Sequence, residues 1–230
     1  MTDPDATVAT QAFYGRWAAL YDRIARLPGV RAWRERAVDA LALDPGDTVV
    51  EMGCGTGANV PHLRERVGPE GTVVGVDLTR GMLATARADR ERAGWANVHL
   101  LQGDATAPPV AGPVDAVLAT FVVGMLPDPA AAVGDWFDLL RPGGRVALLD
   151  AAPTEATCAR PLNLPFAAFV WAGAPGKRRG VRRPSRELFD RVETARRAVA
   201  EQGDVVETDR FGLGFLRVTS GARPDGAPVD

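Results

Sequence analysis

A short apolar run, Thr48 to Met52, leads straight into Gly53-Cys54-Gly55-Thr56-Gly57, and an acid, Glu51, stands two residues before the first glycine. Nothing else in the chain constrains its fold as tightly. Glycine tolerates φ > 0 and has no Cβ, so such a backbone can turn sharply and let a ligand come close. A helical pattern follows, whose free N–H groups point back into the turn. Strand, glycine turn and helix together specify a nucleotide-like ligand at the end of a buried strand.

The rest of the chain agrees with that placement. Asp44-Pro45-Gly46-Asp47 is a strong turn signal, and short apolar runs then alternate with helical patterns. Strands are expected at 48–52, 72–77, 98–102, 115–120 and 145–150, with helices at 58–67, 80–93 and 129–140 between them. Pro142-Gly143-Gly144 reads as a helix stop and a turn before the fifth strand. Two further strands, 205–210 and 215–219, flank Phe211-Gly212-Leu213-Gly214 and read as an antiparallel hairpin on the sheet edge. The expected fold is α/β: a Rossmann-like, mostly parallel seven-stranded sheet with an antiparallel last strand and helices on both faces. In such sheets ligands sit at the carboxyl ends of the strands.

Two helices, about 13–26 and 30–43, precede the sheet, and the first carries Phe13, Trp17, Leu20, Tyr21 and Ile24 at helical spacing. Residues 151–184 break the rhythm with prolines and aromatics, a stretch too long for a plain connection, and read as a lid. A helix at 185–202 follows. One domain is expected over 1–220, with 1–43 a helical cap, 44–150 the ligand-binding core and 221–230 a disordered tail.

Composition narrows the classes. The formal net charge is −2 over 230 residues, which gives no global attraction to nucleic acid. Two cysteines, Cys54 and Cys158, cannot build a disulfide framework, and a reducing cytoplasm is the expected setting. Cys54 reads as a small turn residue. No apolar run reaches the length of a membrane span. The histidines, His62 and His99, read as structural or surface groups. No Cys/His/Asp cluster has metal-ligand spacing, so no metal is expected.

A dinucleotide fold competes, because Gly53-x-Gly55-x-x-Ala58 satisfies the loose fingerprint. Glu51 argues against it, since a dinucleotide fingerprint has an apolar residue there. Asp77 ends the second strand, where a carboxylate accepts from both hydroxyls of a ribose. Asp104, just after the third strand, can accept from an adenine amino group. Glu-Met-Gly-Cys-Gly-Thr-Gly (51–57), Gly-Val-Asp-Leu (75–78), Gly-Asp-Ala (103–105) and Leu-Arg-Pro-Gly-Gly-Arg (140–145) resemble the ordered motifs of class I S-adenosylmethionine (SAM)-dependent methyltransferases. The resemblance implies SAM as cofactor. It places Gly53, Gly55 and Gly57 around the methionyl part and Asp77 on the ribose, and counts Glu51 and Cys54 among the cofactor-binding residues. Leu78 and Met82 would lie beside the adenine, Asp104 and Ala105 at its edge, and Thr120 toward the methionine or the acceptor.

Phe13-Tyr14-x-x-Trp17-x-x-x-Tyr21-Asp22 is similar to the corresponding segment of the ubiquinone/menaquinone-biosynthesis and phospholipid N-methyltransferase branch, which implies that this region folds over the cofactor. Tyr14, Tyr21 and Thr120 are the acceptor-site candidates. A small or lipophilic acceptor, quinone- or lipid-like, is the first expectation, and an amine or phospholipid headgroup the second. Two further classes compete with a methyltransferase: a nicotinamide oxidoreductase and a SAM-binding protein without turnover. Lys177, Arg178, Arg179, Arg182 and Arg183 form a basic run suited to peripheral contact with anionic lipid, or to a solvated loop. No acceptor motif for nucleic acid follows the fourth strand, and nothing marks an oligomeric state.

Overall fold

In a computed structural model that describes residues 28–167 and 184–226, seven strands form one sheet in the order β3-β2-β1-β4-β5-β7-β6. They are β1 (Thr48–Met52), β2 (Thr72–Asp77), β3 (Val98–Gln102), β4 (Val114–Thr120), β5 (Leu140–Ala151), β6 (Asp204–Phe211) and β7 (Leu216–Ala222). The first five are parallel, and β7 runs antiparallel to both of its neighbours. The chain steps outward from β1 through β2 to β3, then returns to the other side of β1 for β4 and β5. That reversal opens a crevice above the carboxyl ends of β1 and β4, where open α/β sheets bind ligands.

Helices cover both faces because the central strands are apolar on both sides, as Val49, Val50 and Met52 show by their full burial. On one face α1 (Pro28–Asp39), α2 (Val60–Val67) and α3 (Arg80–Ala93) enclose Val38, Val49, Leu63, Leu83, Leu118 and Leu149. On the other, α4 (Pro129–Leu139) and α5 (Pro184–Gln202) enclose Val50, Met52, Val117, Trp136, Leu148 and Val199. Local chemistry sets the starts of these helices. Asp128 accepts from Ala131 N–H (3.0 Å) as the N-cap of α4, and Pro61 occupies the first turn of α2, where its missing N–H costs nothing.

Most boundaries fall within a residue or two of the sequence reading, but the helix expected at 30–43 spans Pro28–Asp39, and three other differences bear on the site. The glycine turn runs on to Asn59, so α2 begins at Val60 rather than at 58. Strand β5 begins at Leu140, and Pro142-Gly143-Gly144 lies inside its irregular first half instead of forming a separate turn. Gly143 takes φ 73°, and its N–H donates to Arg223 O (3.0 Å), so the stretch is held from the β7 side. Strand β7 reaches Ala222, two residues into the expected tail, and it lies inside the sheet, so that of the hairpin only β6 is an edge strand. The aromatic helix expected at 13–26 lies outside the described residues.

Trp136 joins the core to the ligand end. Its ring is fully buried, and its indole N–H donates to Ala105 O (2.8 Å) in the loop after β3. Trp136→Ala is expected to cost about 3–5 kcal/mol in urea unfolding. A loss under about 1 kcal/mol would show that the site does not depend on this packing.

Candidate functional site

Each of the three turn glycines adopts positive φ, at 69°, 56° and 79° for Gly53, Gly55 and Gly57. Their surroundings assign them different work. A Cβ on Gly53 would stand 2.3 Å from Val122 Cγ2, and one on Gly57 would stand 3.2 Å from Ala86 Cβ. Those two let the turn pack against the loop after β4 and against α3. A Cβ on Gly55 would meet nothing within 4 Å among the described residues, so this glycine borders open space. Cys54 N–H donates to Val76 O (3.0 Å), which ties the turn to β2. The Cys54 thiol is buried against Gly75, and burial pushes its pKa well up, so it packs as a small turn residue.

Asp77, half-buried at the end of β2, clasps the same turn. Its Oδ2 accepts from Gly55 N–H and its Oδ1 from Thr79 N–H, both at 2.8 Å. Burial raises its pKa, and these two N–H bonds oppose that rise. A carboxylate has about four lone-pair sites, so each oxygen can still accept from a hydroxyl. Gly103 N–H donates to Asp77 O (3.1 Å), which brings the end of β3 beside the end of β2. Asp104 turns inward on its own loop: its Oδ1 accepts from Thr106 N–H (2.9 Å) and Thr106 Oγ1 (2.8 Å). Its second oxygen takes no part in those bonds. Met82 is buried on α3, and Leu78 lies half-buried beside Asp77.

Glu51 is 1% exposed. Asn59 Nδ2 donates to its Oε1 (2.5 Å) and also to Thr120 Oγ1 (3.0 Å). Arg34, on α1, donates from Nη1 to Asn59 Oδ1 (3.1 Å) and to Thr120 Oγ1 (3.2 Å). Sequence reasoning missed Arg34 and Asn59. The signal for Arg34 was present: Arg34, Ala37, Val38 and Leu41 recur at helical spacing, which puts an arginine on the apolar stripe of its helix. Burial pushes the Glu51 pKa up to about 7, against the pull of Asn59 and Arg34, and the Asp77 charge adds to the rise. Its Oε2 is buried without a hydrogen-bond partner among the described residues. Next to Thr120, Phe121 holds φ 58°, a strained value for a side chain with a Cβ, and its N–H donates to Leu149 O (2.8 Å).

The expected lid is described as far as residue 167. Thr154 N–H donates to Asn163 Oδ1 (2.8 Å) and Thr154 Oγ1 to Leu213 O (2.6 Å), which anchors the segment on the β6–β7 turn. The Phe166 ring stacks on Phe189 of α5 at 5.8 Å and tilts against Phe215 at 4.8 Å. These rings lie beyond the end of β5, where Asp150 is buried with its Oδ2 unpartnered among the described residues and its pKa raised by burial to about 7. Tyr14, Tyr21, Phe169, Trp171 and the basic run at 177–183 lie outside the described residues. His62 is buried between α2 and α1, with Nδ1 3.6 Å from Glu35, and His99 is exposed on β3. Among the described residues no three His, Cys, Asp or Glu side chains are grouped to hold a metal, and no helix is long and apolar enough to cross a membrane.

Comparisons with known proteins match this geometry. Residues 49–144 match the family model described as "Methyltransferase domain". The chain is 31% identical over 218 residues to a demethylmenaquinone methyltransferase of Thermus thermophilus, covering 90% of this chain and 98% of that protein. It is 37% identical over 144 residues to a 2-phytyl-1,4-naphtoquinone methyltransferase of Thermosynechococcus vestitus and 35% identical over 144 residues to nocamycin O-methyltransferase of Saccharothrix syringae. Each of these two matches covers 61% of this chain, but only 63% and 50% of the respective relative. A SAM-dependent methyltransferase from Aquifex aeolicus shares the fold at TM-score 0.61 and 18% identity, covering 88% of this chain and 97% of that one.

The buried acid has a consequence for pH. The folded chain holds the Glu51 proton more tightly than the unfolded chain, whose value is near 4.5. That contribution is fully present below 4.5 and is lost as pH rises through about 7. Glu51→Gln keeps an acceptor for Asn59 and removes this share of the pH dependence. Its stability relative to the parent is expected to rise by on the order of 3 kcal/mol between pH 4.5 and pH 8. Parallel stability profiles in denaturant titrations across that range would contradict the burial of a titrating Glu51.

Proposed function

We propose, from the premise that this chain belongs to the class I SAM-dependent methyltransferases, that it methylates a small, lipophilic, quinone-like acceptor. The observation that carries the acceptor class is the near full-length match to a demethylmenaquinone methyltransferase. The rings of Phe166, Phe189 and Phe215 support it, since they form an apolar cluster beyond the end of β5 suited to a flat ring. Family membership sets aside a nicotinamide oxidoreductase. No observation in the described residues favours an amine or a phospholipid headgroup.

The donor site fits SAM on two features of the structure: the open space beside Gly55 and the unpartnered Glu51 Oε2. When bound, SAM supplies an electrophilic methyl group on a sulfonium. In this reading Asp77 accepts from the ribose hydroxyls while its other lone pairs keep Gly55 and Thr79 in place. Glu51 Oε2 accepts from the methionyl ammonium, and Gly55 lets the backbone approach. Leu78 and Met82 flank the adenine, with Asp104 and Ala105 at its edge. Thr120, fixed by Arg34 and Asn59, holds the floor between donor and acceptor. Methyl transfer to a ring carbon or a hydroxyl is an in-line displacement, and aligned reactants gain roughly 7–11 kcal/mol from positioning alone. The walls therefore have more to contribute than any single acid or base. The basic run at 177–183 would meet the anionic surface on which a prenylated acceptor resides, in a chain working from the cytoplasm. Nucleic acid has no part in this reading.

Two outcomes test it. Asp77→Ala removes charge-assisted bonds worth about 1.5–3 kcal/mol each, so affinity for S-adenosylhomocysteine should fall at least roughly tenfold. Unchanged affinity in the folded variant would refute the ribose role. With methyl-labelled SAM, label should enter a reduced prenyl-naphthoquinone and the lipid fraction of a cell extract. Label confined to water-soluble amines, or tight binding without transfer, would overturn the acceptor reading.

A further inference from the structure

The network beside the glycine turn holds two opposite charges that do not meet. Arg34 is 5% exposed and bonds, among the described residues, only to the neutral oxygens of Asn59 and Thr120. Asn59 stands between it and Glu51, its amide oxygen toward the guanidinium and its amide nitrogen toward the carboxylate. Among the described residues Arg34 Nε and Glu51 Oε2 are both buried without a hydrogen-bond partner, and so is Thr56 Oγ1 from the turn itself. Burying a charge without its counterion is costly, and an arginine in such a place is normally paired with an anion. A fold that buries a cation and an anion side by side, and keeps them apart with one amide, is complementary to a zwitterion. The amino-acid end of the methyl donor is one, with its ammonium and carboxylate on a single carbon.

We propose that Arg34 takes the carboxylate of that amino-acid group, so that α1, which lies outside the matched family segment, completes the donor site. The inference rests on the reading of this crevice as a SAM site. Guanidinium and carboxylate form paired, charge-assisted hydrogen bonds, and Arg34 Nε supplies one of the two donors such a pair needs. A helix of the cap thereby becomes part of cofactor recognition, while Thr120 and Asn59 hold the guanidinium at its working angle. The competing role is mechanical: Arg34 would only fasten α1 to the end of β4.

Calorimetric titration separates these. The ligands are S-adenosylhomocysteine, its decarboxylated analogue and 5′-methylthioadenosine, each against the parent chain, Arg34→Met and Arg34→Lys. The parent should prefer S-adenosylhomocysteine over the decarboxylated analogue by roughly 10- to 100-fold. Arg34→Met should erase that preference and leave 5′-methylthioadenosine binding within about threefold, while Arg34→Lys restores part of it. Equal weakening of all three ligands by Arg34→Met, or a parent that does not discriminate the carboxylate, would overturn the proposal. Should Arg34→Met not fold, the parent's discrimination and Arg34→Lys still decide. A parent that binds none of the three would instead overturn the reading of the crevice as a SAM site.

Discussion

A carboxylate buried at the strand-order reversal is the constraint around which this end of the molecule is built. Glu51 lies on β1, with β2 on one side and β4 on the other, at the point where the crevice opens. An acid in that place cannot reach water, so the surrounding elements must hold it. Asn59 arrives from the extended glycine turn, Thr120 from the end of β4 and Arg34 from α1. Arg34 thus meets partners 25 and 86 residues away, and Asn59 alone of the three donates to Glu51. The network aligns the turn, the end of β4 and the cap helix with one another, and leaves Arg34 Nε and Glu51 Oε2 without a hydrogen-bond partner among the described residues.

The glycine turn depends on the same arrangement from the other side. Gly53 and Gly57 are pressed against Val122 and Ala86, so two of the three glycines are required by packing. Asp77 grips the turn through Gly55 N–H and fixes the third glycine at the rim of the open space. The acid that would take the ribose therefore also shapes the floor on which the methionyl part would lie. One residue does both because a carboxylate has more lone pairs than the backbone uses.

The core of the fold was legible because its signals are local. Alternating apolar runs and helical patterns marked β1 to β4 at nearly the observed bounds, and Glu51, the glycines and Asp77 stood out in their motif. What escaped depends on long-range partners. Arg34 lies on an apolar stripe, but nothing near it in sequence names Asn59 or Thr120 as its acceptors. Strand β5 starts early because Arg223, far along the chain, supplies backbone partners to Gly143 and Gly144. The hairpin was recognisable from its turn, yet which of its strands would face β5 was decided by pairing across the sheet. Asp104 kept its place in the motif while its Oδ1 was claimed by Thr106, a local bond that the residue type allows and the spacing does not reveal.

The claim joining these observations is that the crevice between β1 and β4 binds SAM with its amino-acid end over Glu51 and Arg34 and its ribose on Asp77. A crystal structure of the full chain grown with S-adenosylhomocysteine tests it most directly. The ribose hydroxyls should lie on the Asp77 carboxylate, the ammonium on Glu51 Oε2 and the ligand carboxylate on Arg34, with Gly55 beneath the chain that joins them. Ligand density elsewhere on the sheet, or in this crevice with the adenine over Glu51, would contradict it.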